Sequence, residues 1–368
     1  MMQRNEILLI HGTDYEQMAY RIAQESDLAG LIGSRKKKVA LKPNILGTIR
    51  PETGATTHPE LVCGLLRYLR ENGFQNLYLM EGAWVGDHTQ RAFKALGYDR
   101  ISKTFDVPLI DLQRDESVIC DAAGMEIRVC RQALEMDFVI NMPVVKGHCQ
   151  TVITCALKNN KGVIPNEEKR RFHRLGLDRP IAHLNTVVRN DFILADNICG
   201  DLDFEEGGNP VQMDRVLAFR DPVLCDAFVC DTLGIPLEEV RHVVLAGKLG
   251  IGSTDLRSAK IISLNSAADT GPVRTAQCGG RVRKLEKYVC AKEACSACYG
   301  QLIYALNRLD EEGFLPHGTG KVAIGQGYRG KHGAVGIGNC TRGFDASLKG
   351  CPPRAIDMVD FLKEKWQS

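Results

Sequence analysis

Short apolar runs alternate with segments of helical periodicity over roughly residues 1–245 of the chain. Six of these runs have the length and composition of β-strands: Ile7–Ile10, Val39–Leu41, Leu77–Met80, Val107–Asp111, Phe138–Asn141 and Phe192–Ala195. Between the second and third runs, Glu60–Asn72 has apolar residues at helical spacing, and Gly73 is placed to end that helix. This alternation is typical of a doubly wound, mostly parallel sheet with helices on both faces. The sequence therefore predicts an α/β fold for this part of the chain.

The C-terminal part of the chain predicts a second, smaller α/β unit that is rich in cysteine. Residues 270–287 combine glycine, proline and several basic residues, which is typical of a linker. Beyond them, apolar residues at helical spacing and two short apolar runs predict these elements: a helix containing Leu302, Ile303, Leu306 and Leu309, strands at Lys321–Ile324 and Ala334–Ile337, and a closing helix at Ala355–Glu364. We therefore predict an α/β domain over 1–269, a linker over 270–287 and a cysteine-rich domain over 288–368.

Composition narrows the class of protein without indicating a reaction. The chain has 368 residues, 44% of them hydrophobic and 25% charged, which is ordinary for a globular protein of two or three domains. The 47 basic and 45 acidic residues give a net charge of +2, so no strong field favours nucleic acid or a membrane surface. No apolar run approaches the roughly 20 residues that span a bilayer, and the N-terminus enters a strand pattern without a signal-peptide core. We expect a cytoplasmic protein.

Four of the fourteen cysteines have a spacing that is typical of an iron–sulfur ligand set. Cys295 and Cys298 form a Cys-x-x-Cys pair, and Cys340 and Cys351 lie in separate turns rich in glycine, asparagine and proline. A helix is predicted to begin near the pair, and the positive end of its dipole would favour thiolate. The turn Gly350–Pro353 also resembles the cluster-ligating turn of hydrogenase small subunits and of the related respiratory complex I subunit. We predict one 4Fe-4S cluster at these four cysteines.

The ligand set and the metal have alternatives. Cys290 lies five residues before Cys295 and could replace one of the four ligands. Zinc also takes four thiolates, but it commonly uses two Cys-x-x-Cys pairs, whereas the second half here is a Cys-x10-Cys flanked by apolar residues. This favours iron–sulfur and leaves zinc and a redox-active dithiol open. The cysteines that lie in apolar stretches are instead expected to act as small buried hydrophobes: Cys63, Cys120, Cys130, Cys155, Cys225 and Cys230.

Polar side chains gather where the predicted strands end, which is where ligands bind in open α/β sheets. The catalytic candidates among them are Lys42, Lys146, His148 and Asp196. The substrate-binding candidates are Asn44, His58, Lys158, Asn159, Lys161 and His173. The cationic bias of this set suits a small carboxylate or phosphate substrate.

Several of these residues carry more specific expectations. Lys158 and Lys161 would lie one helical turn apart on one side, and His148 and His173 could serve as acid–base groups because histidine titrates near neutrality. The run Glu167–Arg171 is interpreted as a solvated basic face. Gly325–Gly330 has the spacing Gly-x-Gly-x-x-Gly but does not run into a helical pattern, so we expect no NAD or FAD site there.

A family resemblance supports this organisation. The segment Val145–Gly162 resembles the core of domain-of-unknown-function family 362 (DUF362), in which a Lys-x-His element precedes an Ala-Leu-Lys-Asn helix. Leu41–Asn44, Thr57–Pro59 and Asp221–Asp226 also resemble its pattern, in the expected order, so the resemblance covers roughly residues 5–265. It implies the α/β fold and an associated iron–sulfur module. Members usually carry a ferredoxin-like double cysteine run, which this chain lacks, so no two-cluster ferredoxin is implied.

Three functional hypotheses follow from the sequence. The first is an iron–sulfur enzyme, an oxidoreductase or lyase, whose cluster either transfers electrons or acts as a Lewis acid on a small anionic substrate. The second is a non-catalytic electron-transfer partner of a larger redox complex. The third is a zinc-stabilised hydrolase or isomerase that relies on Lys146 and His148. An electron-donor protein and a homo-oligomer are further expected partners.

Overall fold

The computed structural model of the protein describes residues 1–265, 280–316 and 320–367. Within these ranges the strands are β1 (Glu6–His11), β2 (Val39–Pro43), β3 (Leu77–Glu81), β4 (Leu109–Asp111), β5 (Ser117–Asp121), β6 (Glu126–Cys130), β7 (Phe138–Met142), β8 (Lys146–His148), β9 (Val152–Thr154), β10 (Phe192–Asp201), β11 (Pro210–Phe219), β12 (Lys260–Ser263), β13 (Val289–Ala291), β14 (Val322–Ile324), β15 (Val335–Ile337) and β16 (Ala346–Leu348). The α-helices are α1 (Tyr15–Glu25), α2 (Leu28–Ile32), α3 (Pro59–Glu71), α4 (Thr89–Ala95), α5 (Tyr98–Phe105), α6 (Arg131–Leu134), α7 (Ala156–Asn159), α8 (Asn166–Leu175), α9 (Asp178–Leu184), α10 (Pro222–Thr232), α11 (Arg241–Lys248), α12 (Gly280–Leu285), α13 (Ser296–Glu311) and α14 (Ala355–Gln367).

Eight strands form the main sheet, in the order β12-β1-β11-β10-β7-β2-β3-β4. Strand β11 runs antiparallel to both of its neighbours, and all the other neighbouring pairs are parallel. The fold class predicted from the pattern of apolar runs is therefore confirmed. From β2 the chain continues outward to β3 and β4, while from β7 it continues in the other direction to β10. The strand order thus reverses between β2 and β7, and a crevice is expected at that point.

Both faces of this sheet are covered, because successive side chains of a strand point to opposite sides. In β2, Val39 and Leu41 belong to one core cluster and Ala40 belongs to the other. Helix α3, through Leu65, packs on the first face, and helix α10, through Val223, packs on the second. Burial on both faces explains why these strands appear in the sequence as continuous apolar runs without polar alternation.

The observed strands depart from the predicted ones in several respects. β10 continues to Asp201, so the residues after Ala195, predicted to be a loop, are part of a strand paired with β11. Two hairpins, β5–β6 and β8–β9, were not predicted. The strands β8 and β9 contain three residues each, which is too short for a period-2 pattern to be recognised.

The C-terminal unit contains a four-stranded parallel sheet in the order β13-β14-β15-β16. The helix predicted after the cysteine pair is α13, and the predicted closing helix is α14. Part of the predicted linker, 270–279, lies outside the described residues, while α12 occupies 280–285 and buries Val282 and Leu285 in the C-terminal core. The predicted domain boundaries remain predictions. Among the described helices, none is long and apolar enough to cross a membrane.

Candidate functional site

A small cavity of about 60 Å³ lies at the carboxyl ends of β2 and β3, beside α7, where the strand order reverses. Four of the ten site residues predicted in the α/β domain line this cavity: Asn44, Lys158, Asn159 and Lys161. Its other polar lining groups include Glu81, Thr154, Lys169 and Glu205. The fold therefore brings together residues from several separate elements and loops, and the cavity has space for a small group such as a carboxylate.

The Lys42 side chain is fully buried and pairs with Glu81, whose Oε2 lies 2.8 Å from the Lys42 Nζ. Burial lowers the pKa of Lys42, and the Glu81 carboxylate opposes that shift. A methyl group at Gly162 would lie 1.8 Å from Glu81 Oε1 and 2.8 Å from Lys42 Nζ, so only glycine lets this segment approach the pair. Lys42 thus fixes the position of the Glu81 carboxylate through this ion pair, and Glu81 itself lines the cavity.

Glu205 connects two predicted site residues through a buried network. Its Oε2 lies 2.6 Å from His148 Nε2, and its Oε1 accepts a hydrogen bond of 2.7 Å from Lys158 Nζ. Burial alone would raise the pKa of Glu205, but His148 and Lys158 hold it well below its usual range. Lys146 donates to the backbone carbonyls of Glu205 and Ala55, and burial lowers its pKa to about 7. Lys146 and His148 therefore do not line the cavity themselves, but both contact Glu205, which does.

Two further lysines at the cavity, Lys161 (partly buried) and Lys169 (buried), have a pKa close to neutrality. Lys161 Nζ lies 3.3 Å from His173 Nε2, and burial lowers the pKa of Lys161 to about 7. Lys169 Nζ donates to the carbonyls of Gly82 and Ala83 at 2.8 Å, and burial lowers its pKa to about 8. Groups of this kind can carry a positive charge for an anion or exchange a proton near pH 7.

The position of Lys169 corrects one interpretation of the sequence. The run Glu167–Arg171 was interpreted as a solvated basic face, yet Glu168 and Lys169 are buried. The run forms the first turns of α8, so its side chains alternate between solvent and the protein interior every three to four residues. Lys169 faces inward and reaches the cavity, whereas Glu167 stays exposed.

Asparagine side chains form a continuous buried hydrogen-bond chain beside the cavity. The links are 2.7–3.0 Å long and run through Asn44, Asn159, Asn141, Asn190, Asn185 and Asn160. An amide both donates and accepts, so such a chain fixes the orientation of each member. The Oδ1 of Asn44 has no partner in the described structure, and Asn44 lines the cavity, so it is available to a bound molecule.

The structure places His58 and Asp196 together but away from the cavity lining. Asp196 Oδ2 accepts hydrogen bonds from His58 Nδ1 and from the His58 backbone N–H, both at 2.8 Å. Burial lowers the pKa of His58, but the Asp196 carboxylate outweighs it and raises that pKa to about 10. The pair fixes the start of α3, since His58 immediately precedes that helix.

The four C-terminal cysteines converge at the carboxyl ends of the small sheet. Cys295 follows β13 and directly precedes α13, Cys340 follows β15 and Cys351 follows β16. Cys298 lies in the first turn of α13, and burial, together with the other three thiols, raises its pKa well above the usual range. Closely grouped thiols give up their protons most readily to a cationic centre. The donor set therefore fits a metal or a metal cluster.

Hydrogen-bond donors surround these sulfurs. Gln326 Nε2 lies 3.5 Å from Cys295 Sγ, and the Arg329 guanidinium hydrogen-bonds to Cys340. Arg329, Cys340 and Cys351 also line a cavity of about 310 Å³ next to the thiols. Cys290 lies apart, with its sulfur hydrogen-bonded to the Tyr328 hydroxyl. The structure thus groups Cys295, Cys298, Cys340 and Cys351 and separates Cys290 from them.

The cysteine group faces the cavity of the α/β domain. Lys161 and Arg170 lie close enough to Cys295 to lower its pKa, although burial raises that pKa overall. Gln326 Nε2, which approaches Cys295, also donates to the Arg170 carbonyl at 3.1 Å. A methyl group at Gly86, in the loop after β3, would lie 2.9 Å from Pro352 Cδ, next to Cys351. The carboxyl ends of the two sheets therefore meet at one place.

Comparison with known proteins identifies the family. The family model for DUF362, described as a domain of unknown function, matches residues 39–231. The chain belongs to the DUF362 family. The DUF362 region begins at β2 and ends within α10, so it includes every lining residue of the α/β cavity and excludes the four C-terminal cysteines. The family description names no reaction, and function must be argued from the site.

Individual relatives of this DUF362 protein are distant. A thylakoid-associated protein of Synechocystis sp. is 23% identical over 228 residues, which cover 59% of this chain and 69% of that protein. Among solved structures, a protein from Thermotoga maritima has a TM-score of 0.38 at 16% identity over 65% of this chain. The lactate racemase apoprotein from Thermoanaerobacterium thermosaccharolyticum has a TM-score of 0.39 at 15% identity over 58% of this chain. The matches span 60% and 54% of those two solved chains.

Three charged residues of the cavity were not among the predicted site residues: Glu81, Lys169 and Glu205. Glu81 directly ends β3, and Lys169 was assigned to a solvated face. Glu205 was not predicted, because the residues around it in the sequence do not indicate that its carboxylate is buried. Only the folded chain shows that its carboxylate turns inward to His148 and Lys158.

Proposed function

We propose that this protein is an iron–sulfur enzyme whose cluster, held by Cys295, Cys298, Cys340 and Cys351, stands over the buried lysine cavity of the α/β domain. The observation that carries the proposal is the convergence of both sites, with Lys161 close enough to Cys295 to affect its pKa. A cluster would supply electron transfer or a Lewis-acidic iron. The hydrogen bonds from Gln326 and Arg329 would adjust its reduction potential.

The spacing of the thiols supports a cluster over a single zinc ion. Two thiolates on one tetrahedral zinc lie about 3.8 Å apart, because each Zn–S bond is about 2.3 Å. Among the described residues, the group of three or more ligand atoms within 4.8 Å of one another is elsewhere, at Cys155, Cys225 and Asp226. No three of the four described C-terminal thiols lie within 4.8 Å of one another, which suits ligands of different iron atoms better than ligands of one zinc ion. A cytoplasmic location and an electron-donor partner accompany this proposal as predictions.

The cavity favours a small carboxylate as the substrate group. Lys158, Lys161 and Lys169 contribute positive charge, and the free Oδ1 of Asn44 can accept a hydrogen bond from a substrate hydroxyl. A carboxylate bound there would be desolvated, which strengthens its interaction with each ammonium. Lys161 is also the lysine placed to exchange a proton with a substrate beside the cluster, since its pKa is about 7.

The cluster is tested by anaerobic purification followed by iron, sulfide and zinc analysis and visible absorption spectroscopy. We expect about four irons and four sulfides per chain, with a broad visible band that is lost in Cys340→Ser. Cys120→Ser is the matched control, because Cys120 lies in the β5–β6 hairpin, outside the C-terminal cysteine group. One zinc bound by four sulfurs, without sulfide, would instead support the hydrolase or isomerase alternative.

The substrate class is tested separately by calorimetric titration with acetate, sulfate and phosphate. We expect acetate to bind, and Lys161→Met to weaken its binding about tenfold, equivalent to about 1.4 kcal/mol. Lys94→Met is the control, since Lys94 is exposed on α4. Equal binding by both variants would contradict a role for Lys161 in anion recognition.

One observation favours the electron-transfer alternative. Cys351 is exposed, and the cavity of about 310 Å³ beside it opens next to two arginines, so a cluster there would lie within reach of a docked redox protein. Redox titration in the presence and absence of acetate separates the two functions. A potential that shifts on acetate binding supports the enzyme, whereas an unchanged potential supports a carrier of electrons.

A further inference from the structure

A second group of metal-ligand atoms lies in the core of the α/β domain, at the start of α7. Cys155 Sγ, Cys225 Sγ and a carboxylate oxygen of Asp226 lie within 4.8 Å of one another. All three side chains are fully buried, and the two sulfurs are 3.7 Å apart. The sequence predicted only that Cys155 and Cys225 would be small buried hydrophobes, and burial does hold for both.

A buried histidine beside this group has no hydrogen-bond partner in the described structure. His242 is fully buried, and neither ring nitrogen makes a hydrogen bond. Its Nε2 points to the group, 4.0 Å from Asp226 Oδ2, and its Nδ1 lies 3.6 Å from Asp178 Oδ1. A buried imidazole without hydrogen bonds lowers the folding stability by about 1–3 kcal/mol. A bound metal ion would remove this cost. A histidine that binds metal through one nitrogen commonly faces a carboxylate with the other.

The spacing of the two sulfurs matches a tetrahedral ion, and the His242 ring, which lies outside the group of atoms within 4.8 Å of one another, would complete the site by turning towards it. With Zn–S bonds of about 2.3 Å, two thiolates on zinc stand about 3.8 Å apart, close to the 3.7 Å between Cys155 and Cys225. The combination of two sulfurs, one nitrogen and one oxygen suits zinc better than magnesium or calcium, which prefer oxygen ligands. Asp226 already accepts hydrogen bonds from the backbone N–H groups of Ala156 and Leu157, and each oxygen keeps a lone pair for an ion.

We propose that Cys155, Cys225, Asp226 and His242 form a structural zinc site that is distinct from the C-terminal cysteine group. Four protein ligands leave no open position, and the group lies within the hydrophobic core, so the ion would not meet a substrate. The site joins three elements, because Cys155 directly precedes α7, Cys225 and Asp226 lie on α10 and His242 lies on α11.

The zinc site would fix the position of two residues that line the substrate cavity. Helix α7 is only four residues long and carries Lys158 and Asn159, which line that cavity. A helix this short has little stability of its own, so its position depends on tertiary contacts. Zinc would tie its first residue to the two longer helices. Loss of zinc is therefore expected to weaken acetate binding at the cavity, although none of the four proposed zinc ligands lines the cavity itself.

The test on the unaltered protein is zinc analysis combined with zinc X-ray absorption, after expression with zinc supplementation. We expect one zinc per chain, bound by two sulfurs at about 2.3 Å and two nitrogen or oxygen atoms at about 2.0–2.2 Å. Fewer than about 0.1 zinc per chain, or a disulfide between Cys155 and Cys225 by mass spectrometry, would overturn the proposal. A zinc with four sulfur neighbours would also overturn it, because that ion would lie at the C-terminal cysteines.

The variants His242→Gln and Cys225→Ser are each expected to lower zinc content at least tenfold. Cys230→Ser is the matched control, since Cys230 is buried in the same helix α10 but lies outside the ligand group. Zinc that persists in both ligand variants would contradict the site. If the variants fold poorly, addition of Co²⁺ to zinc-depleted wild-type protein provides a second measurement. A visible cobalt–thiolate spectrum is expected, and its absence would also contradict the site.

This inference stands apart from the proposed function. Iron and sulfide content should be the same in His242→Gln and in the wild type, whereas Cys340→Ser should lose iron and keep zinc. Absence of zinc from the wild type, together with an intact iron–sulfur spectrum, would contradict only the proposed zinc site. Absence of iron, together with a zinc ion bound by two sulfurs, would contradict only the proposed cluster.

Discussion

At the scale of single residues, the cavity depends on charged side chains that are buried away from water. Lys42 is 0% exposed and Glu81 is 2% exposed, and they neutralise each other at 2.8 Å. In such a pair the desolvation cost is large for each ion, so the pair is a weak source of net stability. Removal of one partner is nevertheless costly, because the other charge remains buried.

Glu81→Gln is therefore expected to lower the free energy of unfolding by about 3–5 kcal/mol, the usual cost of breaking a buried ion pair. The control is Glu135→Gln, since the Lys38–Glu135 pair is about half exposed at 3.9 Å, and it should change stability by less than about 1 kcal/mol. Urea unfolding of both variants measures the difference. Equal effects would mean that Lys42 loses its charge freely when Glu81 is absent.

The His58–Asp196 pair predicts a pH dependence. The pKa of His58 is raised to about 10 in the folded protein, and it is about 6.5 in an unfolded chain. The folded state therefore binds the proton more tightly, and the stabilisation is complete below about pH 6.5 and is lost as the pH rises towards 10.

Asp196→Asn should remove this dependence, because the carboxylate is what raises the pKa of His58. We expect the stability difference between wild type and variant to be a few kcal/mol at pH 6 and to shrink as the pH approaches 10. Thermal unfolding at several pH values measures it, with Asp360→Asn, an exposed carboxylate on α14, as the control. A difference independent of pH would show that His58 does not titrate in this range.

At the scale of elements, α13 packs against the turn that follows β10. A methyl group at Gly300 would lie 2.2 Å from Glu206 Oε1, so the helix passes directly over that carboxyl group. Burial, and secondarily the Glu205 carboxylate, raises the pKa of Glu206 to about 8. Glu206 is thus protonated in the folded protein at neutral pH, whereas in an unfolded chain it ionises near pH 4.5.

Glu206→Gln should therefore stabilise the protein in an alkaline buffer. The wild type loses stability as the pH rises from about 4.5 to about 8, because over that range the folded state holds a proton that the unfolded state releases. The neutral amide removes this loss, so the variant should gain up to a few kcal/mol at pH 8 and little at pH 4.5. Calorimetry at both values checks the prediction, with the exposed Glu25→Gln as the control.

At the scale of the whole molecule, the α/β part of the chain contributes residues to the C-terminal core. Phe204, from the α/β part of the chain, is buried in the C-terminal core cluster and meets Tyr304 of α13 with ring centroids 5.8 Å apart. Gln150 adds polar contacts by donating to the Ala294 carbonyl at 3.1 Å and accepting from Ser296 Oγ at 2.7 Å. These contacts hold the cysteine group against the lysine cavity.

Phe204→Ala is expected to destabilise the contact between the units by about 3–5 kcal/mol, the usual cost of emptying a buried phenylalanine site. Hydrogen exchange should then be faster in α13 while the main sheet remains protected. Phe105→Ala is the control, because Phe105 is only partly buried at the end of α5, remote from α13. Uniformly faster exchange across both units would show that they unfold as one cooperative body.

Much of this organisation is determined by the sequence itself, because it depends on residues close together in the chain. The apolar runs predicted β1, β2, β3, β4, β7 and the start of β10, and helical spacing predicted α3, α13 and α14. The turn residues around Cys340 and Cys351 marked these cysteines as different from those in apolar stretches. Lys158 and Lys161, one turn apart, line one cavity as the sequence predicts.

Tertiary structure alone decided which distant groups share a buried environment. Glu205 meets His148 and Lys158 across 57 and 47 positions, and nothing in its neighbourhood in the sequence indicates that its carboxylate is buried. Cys155 and Cys225 lie 70 residues apart, yet their sulfurs are in contact. Local periodicity reports which face of an element is buried, whereas pairing and desolvation depend on the other elements that cover that face. The fold could therefore be predicted from the sequence, and the chemistry of the site depended on how the elements pack.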